Sequence, residues 1–199
     1  MPQFDLRGIT CAKYINTDGT ISHSNVQAVG DAMTANLEMR YAEGRLYAES
    51  TLAEFMKKAT GGTISLGVKY IKDAAQQLMF GSRSKSRSVT YVPDSGTTAT
   101  ATVSSLILGA KTMPQYVSIA FYAPDMIDGV LKYTCVYIAK ALFGPPSMTL
   151  QTASENIQFN TPTTSGEFLA DDSSNQDMLE VAVCDDEAEA IAWITAVLT

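Results

Sequence analysis

The chain has one histidine (His23), one tryptophan (Trp193) and three cysteines in 199 residues. Each scarcity excludes something. Cys11, Cys135 and Cys184 lie far apart, are odd in number and form no C-x-x-C pair, so a zinc site is not expected. They read instead as buried thiols in a reducing cytoplasm. His23 sits between Ser22 and Ser24 and is expected to face solvent. No G-x-S-x-G elbow supplies a nucleophile for it. Basic residues are also few, 14 against 21 acidic ones, for a net charge of −7. That argues against sequence-independent nucleic-acid binding and suits a protein that must not stick to DNA. No run approaches the ~20 apolar residues of a membrane span. The opening MPQFDLRGIT lacks a basic stretch followed by an apolar one, so neither a membrane partner nor a secretory signal is expected.

Chemical motifs are sparse too. Gly61 and Gly62 precede a strand pattern and lack the Gly-Lys-Ser/Thr of a phosphate loop. No EF-hand spacing occurs. Asp171–Asp172 reads as a turn, and Asp185–Asp186–Glu187 as acidic charge at a helix start. Acid/base catalysis would need two carboxylates converging from different elements. The expectation is therefore a non-enzyme with no catalytic residue, metal or cofactor.

What is present is a chain of 46% hydrophobic and 18% charged residues, enough for one domain with a packed core. Residues 9–15 alternate as a strand, Asp18–Gly19 is a hairpin turn, and 21–29 is a weaker extended segment. Residues 33–41 have helical propensity in part. Their strict alternation, with Ala35, Leu37, Met39 and Tyr41 on one side, predicts a strand. Local propensity allows a helical turn over 50–58. Gly61–Gly62 release a strand over 63–71 with Ile64, Leu66, Val68 and Tyr70 on one face. Asp73 and Gln76 form a capping-box pattern for a short helix ending at Gly81, which buries Leu78, Met79 and Phe80.

Residues 82–114 differ in composition and read as a protruding arm or loop on a single domain. The arm starts with the basic SRSKSRS, expected in a loop, and offers strands at 89–92 and 103–108. Beyond it, 116–123 and 131–142 alternate as two strands joined by a turn over 124–129, and Gly144–Pro145–Pro146 ends the pair. The second strand puts Tyr133, Cys135, Tyr137, Ala139 and Ala141 on one side. A polar run over 149–165, a short strand over 166–169, a turn over 171–177 and a strand over 178–184 follow. A helix near 186–198 closes the chain, with Ile191, Ile194 and Leu198 on one face.

The tyrosine-rich hairpin, the GPP corner, the NIQFNTPTTSGEF segment and the acidic end come in an order that resembles the major tail protein, or tail tube protein, of long-tailed siphovirus-type bacteriophages, in particular those of Gram-positive hosts. RLYAESTLAEF at 45–55 and GGTISLGVKYIKDAAQQLMFG at 61–81 fit the same order. No single piece is specific; the ordered set covers most of the chain. The resemblance implies a mainly β, α+β fold: an antiparallel β-sandwich or barrel with a flanking helix near 73–80 and a C-terminal helix near 186–198. It makes residues 52–55 extended, against local propensity.

It further implies a structural virion protein, built in the host cytoplasm. Six copies would close into a ring, rings would stack around a tape measure protein, and DNA would later leave through the channel without specific binding. Tail terminator and tail-tip proteins are the other implied partners. The polar run over 149–165 is the candidate lumen lining. The candidate subunit interface has two parts: Glu49 and Glu54 in one loop, and Arg83, Lys85, Arg87 and Tyr91 in the arm. Opposite-sign patches steer self-assembly, and this chain has acidic surface to spare. A carbohydrate- or surface-binding β-sandwich module is the alternative from another class, kept open by Tyr133 and Tyr137 and weakened by the single Trp193 on a helix. A tube protein of a contractile or secretion system shares the implied fold.

Overall fold

The computed structural model describes residues 5–48, 51–147 and 161–199. Among them are ten strands and two helices: β1 (Arg7–Thr17), β2 (Thr20–Ala28), β3 (Ala32–Ala48), β4 (Thr51–Val68), α1 (Asp73–Phe80), β5 (Arg83–Tyr91), β6 (Ala99–Ile107), β7 (Val117–Ile127), β8 (Val130–Phe143), β9 (Thr163–Leu169), β10 (Leu179–Cys184) and α2 (Glu187–Val197). The fold is mainly β, antiparallel throughout its paired strands, with two helices.

One sheet runs β2-β1-β7-β8-β9-β4-β3, with β10 also paired to β8. Its end strands, β2 and β3, are consecutive in the chain and separated only by Val29, Gly30 and Asp31. Three residues span at most roughly 10 Å. The sheet therefore has to curl until its two ends meet. Backbone bonds hold the closure: Val29 N–H donates to Ile9 O at 2.9 Å, Lys72 N–H to Val29 O at 2.9 Å and Lys69 N–H to Asp31 O at 3.0 Å. The two expected layers are thus halves of one continuous ladder.

Curling creates the main core. Ile9, Ile64, Leu66, Ile119, Ile138, Phe143 and Phe168 face inward, and α1 plugs the space beside β1, β2 and β8 with Ala75, Leu78, Met79 and Phe80. Phe80, Phe143 and Phe168 are fully buried, each contributing about 1.5–3 kcal/mol. Alternate residues of β1, β7 and β8, among them Ala12, Ala120 and Cys135, form a second core under α2. So β7 is buried on both sides.

The details correct several expectations. Asp73 is not the N-cap of α1; Lys72 is, without a side-chain bond, and Gln76 Nε2 donates to Ile71 O at 2.9 Å. Gly81 does take the left-handed C-cap conformation, φ 66°. The turn after β7 is confined to Asp128 (φ 51°) and Gly129 (φ 79°), and Pro124 lies within the strand. Pairing with β1 stops at Tyr122, which leaves β7 one free edge there, and an edge tolerates proline. The faces of β8 exchange at a bulge: Ile119 pairs with Ile138 but Val117 with Ala141. Ala141 and Phe143 thereby join Ile138 in the main core, away from Tyr133, Cys135 and Tyr137. Tyr70 falls outside β4 and is exposed, and on α2 it is Ala190, Ile194 and Leu198 that are buried while Ile191 faces out.

Gly61 and Gly62 lie inside β4 rather than before a strand. Thr60 is an extra residue there, since Arg40 pairs with Gly61 and Tyr41 with Ala59. Gly61 has φ 131°, a conformation closed to other residues, and a Cβ on it would lie 2.5 Å from Phe168 O. A Cβ on Gly62 would lie 2.3 Å from the Phe168 ring, its partner across β9. The bare backbone thus seats a core phenylalanine at the point where β3 and β4 leave the sheet. Gly61→Ala is expected to lower unfolding free energy by about 2 kcal/mol, read as a shifted urea midpoint at constant slope.

Candidate functional site

Two hairpins stand away from the curled sheet, and the described residues of both parts of the predicted interface fall on them. The first is the outer half of β3–β4. β9 covers β4 only from Gly62 to Gly67, so the strands beyond Arg40 and Gly61 pair only with each other. Eight residues from Tyr41 to Ala48 reach roughly 25 Å at the usual rise of a strand. Register places Tyr41, Glu43 and Arg45 opposite Ala59, Lys57 and Phe55 on one face. Ala42, Gly44 and Leu46 oppose Lys58, Met56 and Glu54 on the other. The first face is laced together: Lys57 Nζ lies 3.3 Å from Glu43 and 4.4 Å from the Tyr41 ring centroid, and Arg45 lies 5.5 Å from that of Phe55. The second carries two exposed apolar side chains, Leu46 at 59% and Met56 at 74%, between the charged Lys58 and Glu54. Glu54 is an exposed strand residue paired with Leu46, while Glu49 lies outside the described residues. The segment expected to be extended by resemblance, 52–55, is extended.

The second hairpin is β5–β6, a two-stranded sheet of its own. Arg83, Lys85 and Arg87 are on its strand β5 and not in a loop as expected. Their odd spacing puts them on one face with Val89 and Tyr91, all exposed. Serines and threonines, with Leu106, fill the other face. The structure does not bring Glu54 together with this set through any hydrogen bond or ion pair among the described residues. Of the candidate lumen run 149–165, residues 149–160 lie outside the described residues; Thr163, Thr164 and Ser165 open β9, and Thr164 is buried.

The acidic end is tied to the body by ion pairs that sequence alone did not reveal. Lys140, on β8, lies 2.8 Å from Asp172 and packs between the rings of Tyr14 and Tyr116. Tyr14 donates to the same carboxylate at 3.0 Å. The Lys140 ammonium, then the Tyr14 hydroxyl, hold Asp172 below the usual carboxylate range. Likewise Tyr122 donates to Glu187 at 2.8 Å and Arg7 at 3.0 Å, and these bonds lower its pKa. Lys132 pairs with Asp185 at 2.6 Å.

His23 is half-buried, contrary to the exposed position expected of it. Its Nε2 lies 2.9 Å from Ser118 Oγ and 3.1 Å from the Tyr137 hydroxyl. The distance is that of a serine–histidine dyad, but the surroundings are not. Ser118 is fully buried near the start of β7, and its hydroxyl proton goes to Ala139 O at 2.6 Å. Among the described residues no carboxylate bonds the other ring nitrogen. The cluster braces β2, β7 and β8. A sequence signal existed only in retrospect: one histidine and one inward serine on strands β1 separates.

Cys11, Cys135 and Cys184 are buried free thiols. Cys135 and Cys184, distant in sequence, meet at 3.7 Å under α2 in a thiol–thiol hydrogen bond, without a disulfide. Burial pushes the Cys11 and Cys135 thiols up to about 12, which makes them inert. Among the described residues no group of three or more His, Cys, Asp or Glu is placed to hold a metal, and no helix is long and apolar enough to cross a membrane.

No protein-family model matches this chain, and no curated protein matches its sequence.

Burial lowers the His23 pKa, so the fold holds the imidazole neutral. The unfolded chain takes up its proton near pH 6.5, so this part of the stability is present above that pH and is lost as pH falls below it. Wild-type melting temperature is expected to drop between about pH 7 and 5. His23→Gln, which keeps a hydrogen-bonding amide without titrating, should flatten that drop; equal slopes in both proteins would refute the assignment.

Proposed function

We propose that this chain is a tail tube protein of a siphovirus-type bacteriophage. Six copies close into a ring, rings stack into a tube within the virion tail, and DNA leaves through the channel. The ordered sequence resemblance supports this reading, and one structural observation carries it: the outer β3–β4 hairpin. A two-stranded hairpin alone in water is marginal. This one adds two free edges and the exposed apolar side chains of Leu46 and Met56. Such an edge is an aggregation liability in a monomer. It is accounted for when a neighbouring copy covers it, and head-to-tail copies form a ring wherever the rotation closes. Tape measure, tail terminator and tail-tip proteins are the partners that follow from the resemblance.

The test is negative-stain electron microscopy of the purified chain across a concentration series. Hollow tubes or six-fold rings are expected. Leu46→Glu/Met56→Glu should leave the melting temperature unchanged and raise the critical concentration for assembly at least about tenfold, the equivalent of ~1.4 kcal/mol. A chain that stays monomeric even with a tape measure protein and a tail-tip initiator present overturns the reading.

A further inference from the structure

Charge is divided along this chain with unusual sharpness. Residues 161–199 carry nine carboxylates and no lysine or arginine. Four of them, Glu167, Asp172, Asp185 and Glu187, are taken by Arg40, Lys140, Lys132 and Arg7. Asp177, Glu180, Asp186 and Glu189 are exposed and enter no ion pair among the described residues. Glu180 shares its face of β10 with Ala182, which packs against the core beneath α2, and it pairs with Tyr137. Asp186 and Glu189 sit at the start of the same helix. Glu180, Asp186 and Glu189 therefore lie on the α2 side of the sheet, the last two also capping the helix: Asp186 Oδ1 accepts from Glu189 N–H at 2.7 Å and Glu189 Oε2 from Asp185 N–H at 2.8 Å.

The free cations gather elsewhere. Arg83, Lys85 and Arg87 form a stripe on one face of β5, spaced roughly 7 Å apart by strand geometry. None has an ion-pair partner among the described residues. The hairpin that carries them leaves directly from α1, through Gly81 and Ser82. α1 packs on the face of β1, β7 and β8 that holds Ile9, Ile119 and Ile138, and α2 on the face that holds Ala12, Ala120 and Cys135. The two patches thus lie on different elements, the basic one on a separate two-stranded sheet rooted at α1 and the acidic one beside α2, and no ion pair joins them among the described residues.

We infer that the basic face of the β5–β6 hairpin docks on the α2-side acidic surface of a second copy. This names the surfaces that meet in head-to-tail association and rests on the reading of the chain as self-assembling. The contact is heterologous, since the two patches differ, and so it repeats from copy to copy rather than ending in a pair. A nucleic acid is the weaker fit. Three cations neutralise about three phosphates, and the body behind them carries a net −7. A second copy brings the complementary charge with it.

The experiment is sedimentation of the full chain with electron microscopy of the same samples, at low and high salt. Self-association should weaken as salt rises toward about 0.5 M, where the Debye length is well under ~10 Å. R83E/K85E/R87E, all exposed, should weaken it at least about tenfold, and so should D177K/E180K. A chain carrying both reversals should recover association, which a merely structural defect would not do. If tubes form and neither reversal affects them, the docking assignment fails and the tube reading stands. Salt-dependent association that responds to both reversals but never gives tubes or rings upholds the docking and removes the tube. A wild-type monomer at low salt overturns the docking; the tube reading falls with it only if the monomer persists with a tape measure protein and a tail-tip initiator present. Retention of a short DNA duplex by the wild type, lost in R83E/K85E/R87E while self-association is unchanged, replaces the partner with a polyanion.

Discussion

The fold depends on a short tether. Val29, Gly30 and Asp31 join the two end strands of a seven-strand path, and three residues cannot cross an open sheet of that width. The ladder must bend back on itself, and the bend encloses the main core and seats α1 in it. Closure also decides what is left over. β9 reaches only as far as Gly62, so whatever β3 and β4 extend beyond that point has no third strand to cover it. The outer hairpin is the excess length of two strands whose inner halves are fixed by the curl, and Phe168 against the two glycines marks where one regime gives way to the other.

Much of this was legible in the chain. Alternation placed β1, β3, β7 and β8, and the acidic Asp185–Asp186–Glu187 run placed α2. Alternation failed where the strands are irregular. The exchange of faces after Ile138 arises from a bulge, a property of pairing between β7 and β8 and not of either sequence alone. The capping pattern at Asp73 misled because a side chain that bonds a helix end must first be held outside it, and tertiary packing drew Asp73 into the first turn. Composition marked 82–114 as different, yet the serine-spaced cations concealed a strand: alternating charge and hydroxyl satisfies the period of two as well as alternating apolar and polar residues do.

The candidate site was less legible. Arg83, Lys85, Arg87 and Tyr91 were singled out by composition as candidates, and the structure supplies their common face. Leu46 and Met56 were missed, because exposed apolar side chains look like core until register shows what lies behind them. The clamp of Lys140 on Asp172 and the brace of His23 with Ser118 and Tyr137 join residues that only the order β2-β1-β7-β8 brings together. No spacing rule reaches across such distances.

That strand order also sets the sequence of events at synthesis. β3 with β4, and β5 with β6, close between neighbours in the chain, whereas β1 must wait for β7, pairing Thr10 with Ala120, and β4 must wait for β9. Local pairs form in microseconds and distant ones orders of magnitude later. The two hairpins therefore begin to pair, if only transiently, before the body that carries and stabilises them is complete. In a crowded translation site, the surfaces proposed to join one copy to the next are among the first parts of each copy to pair.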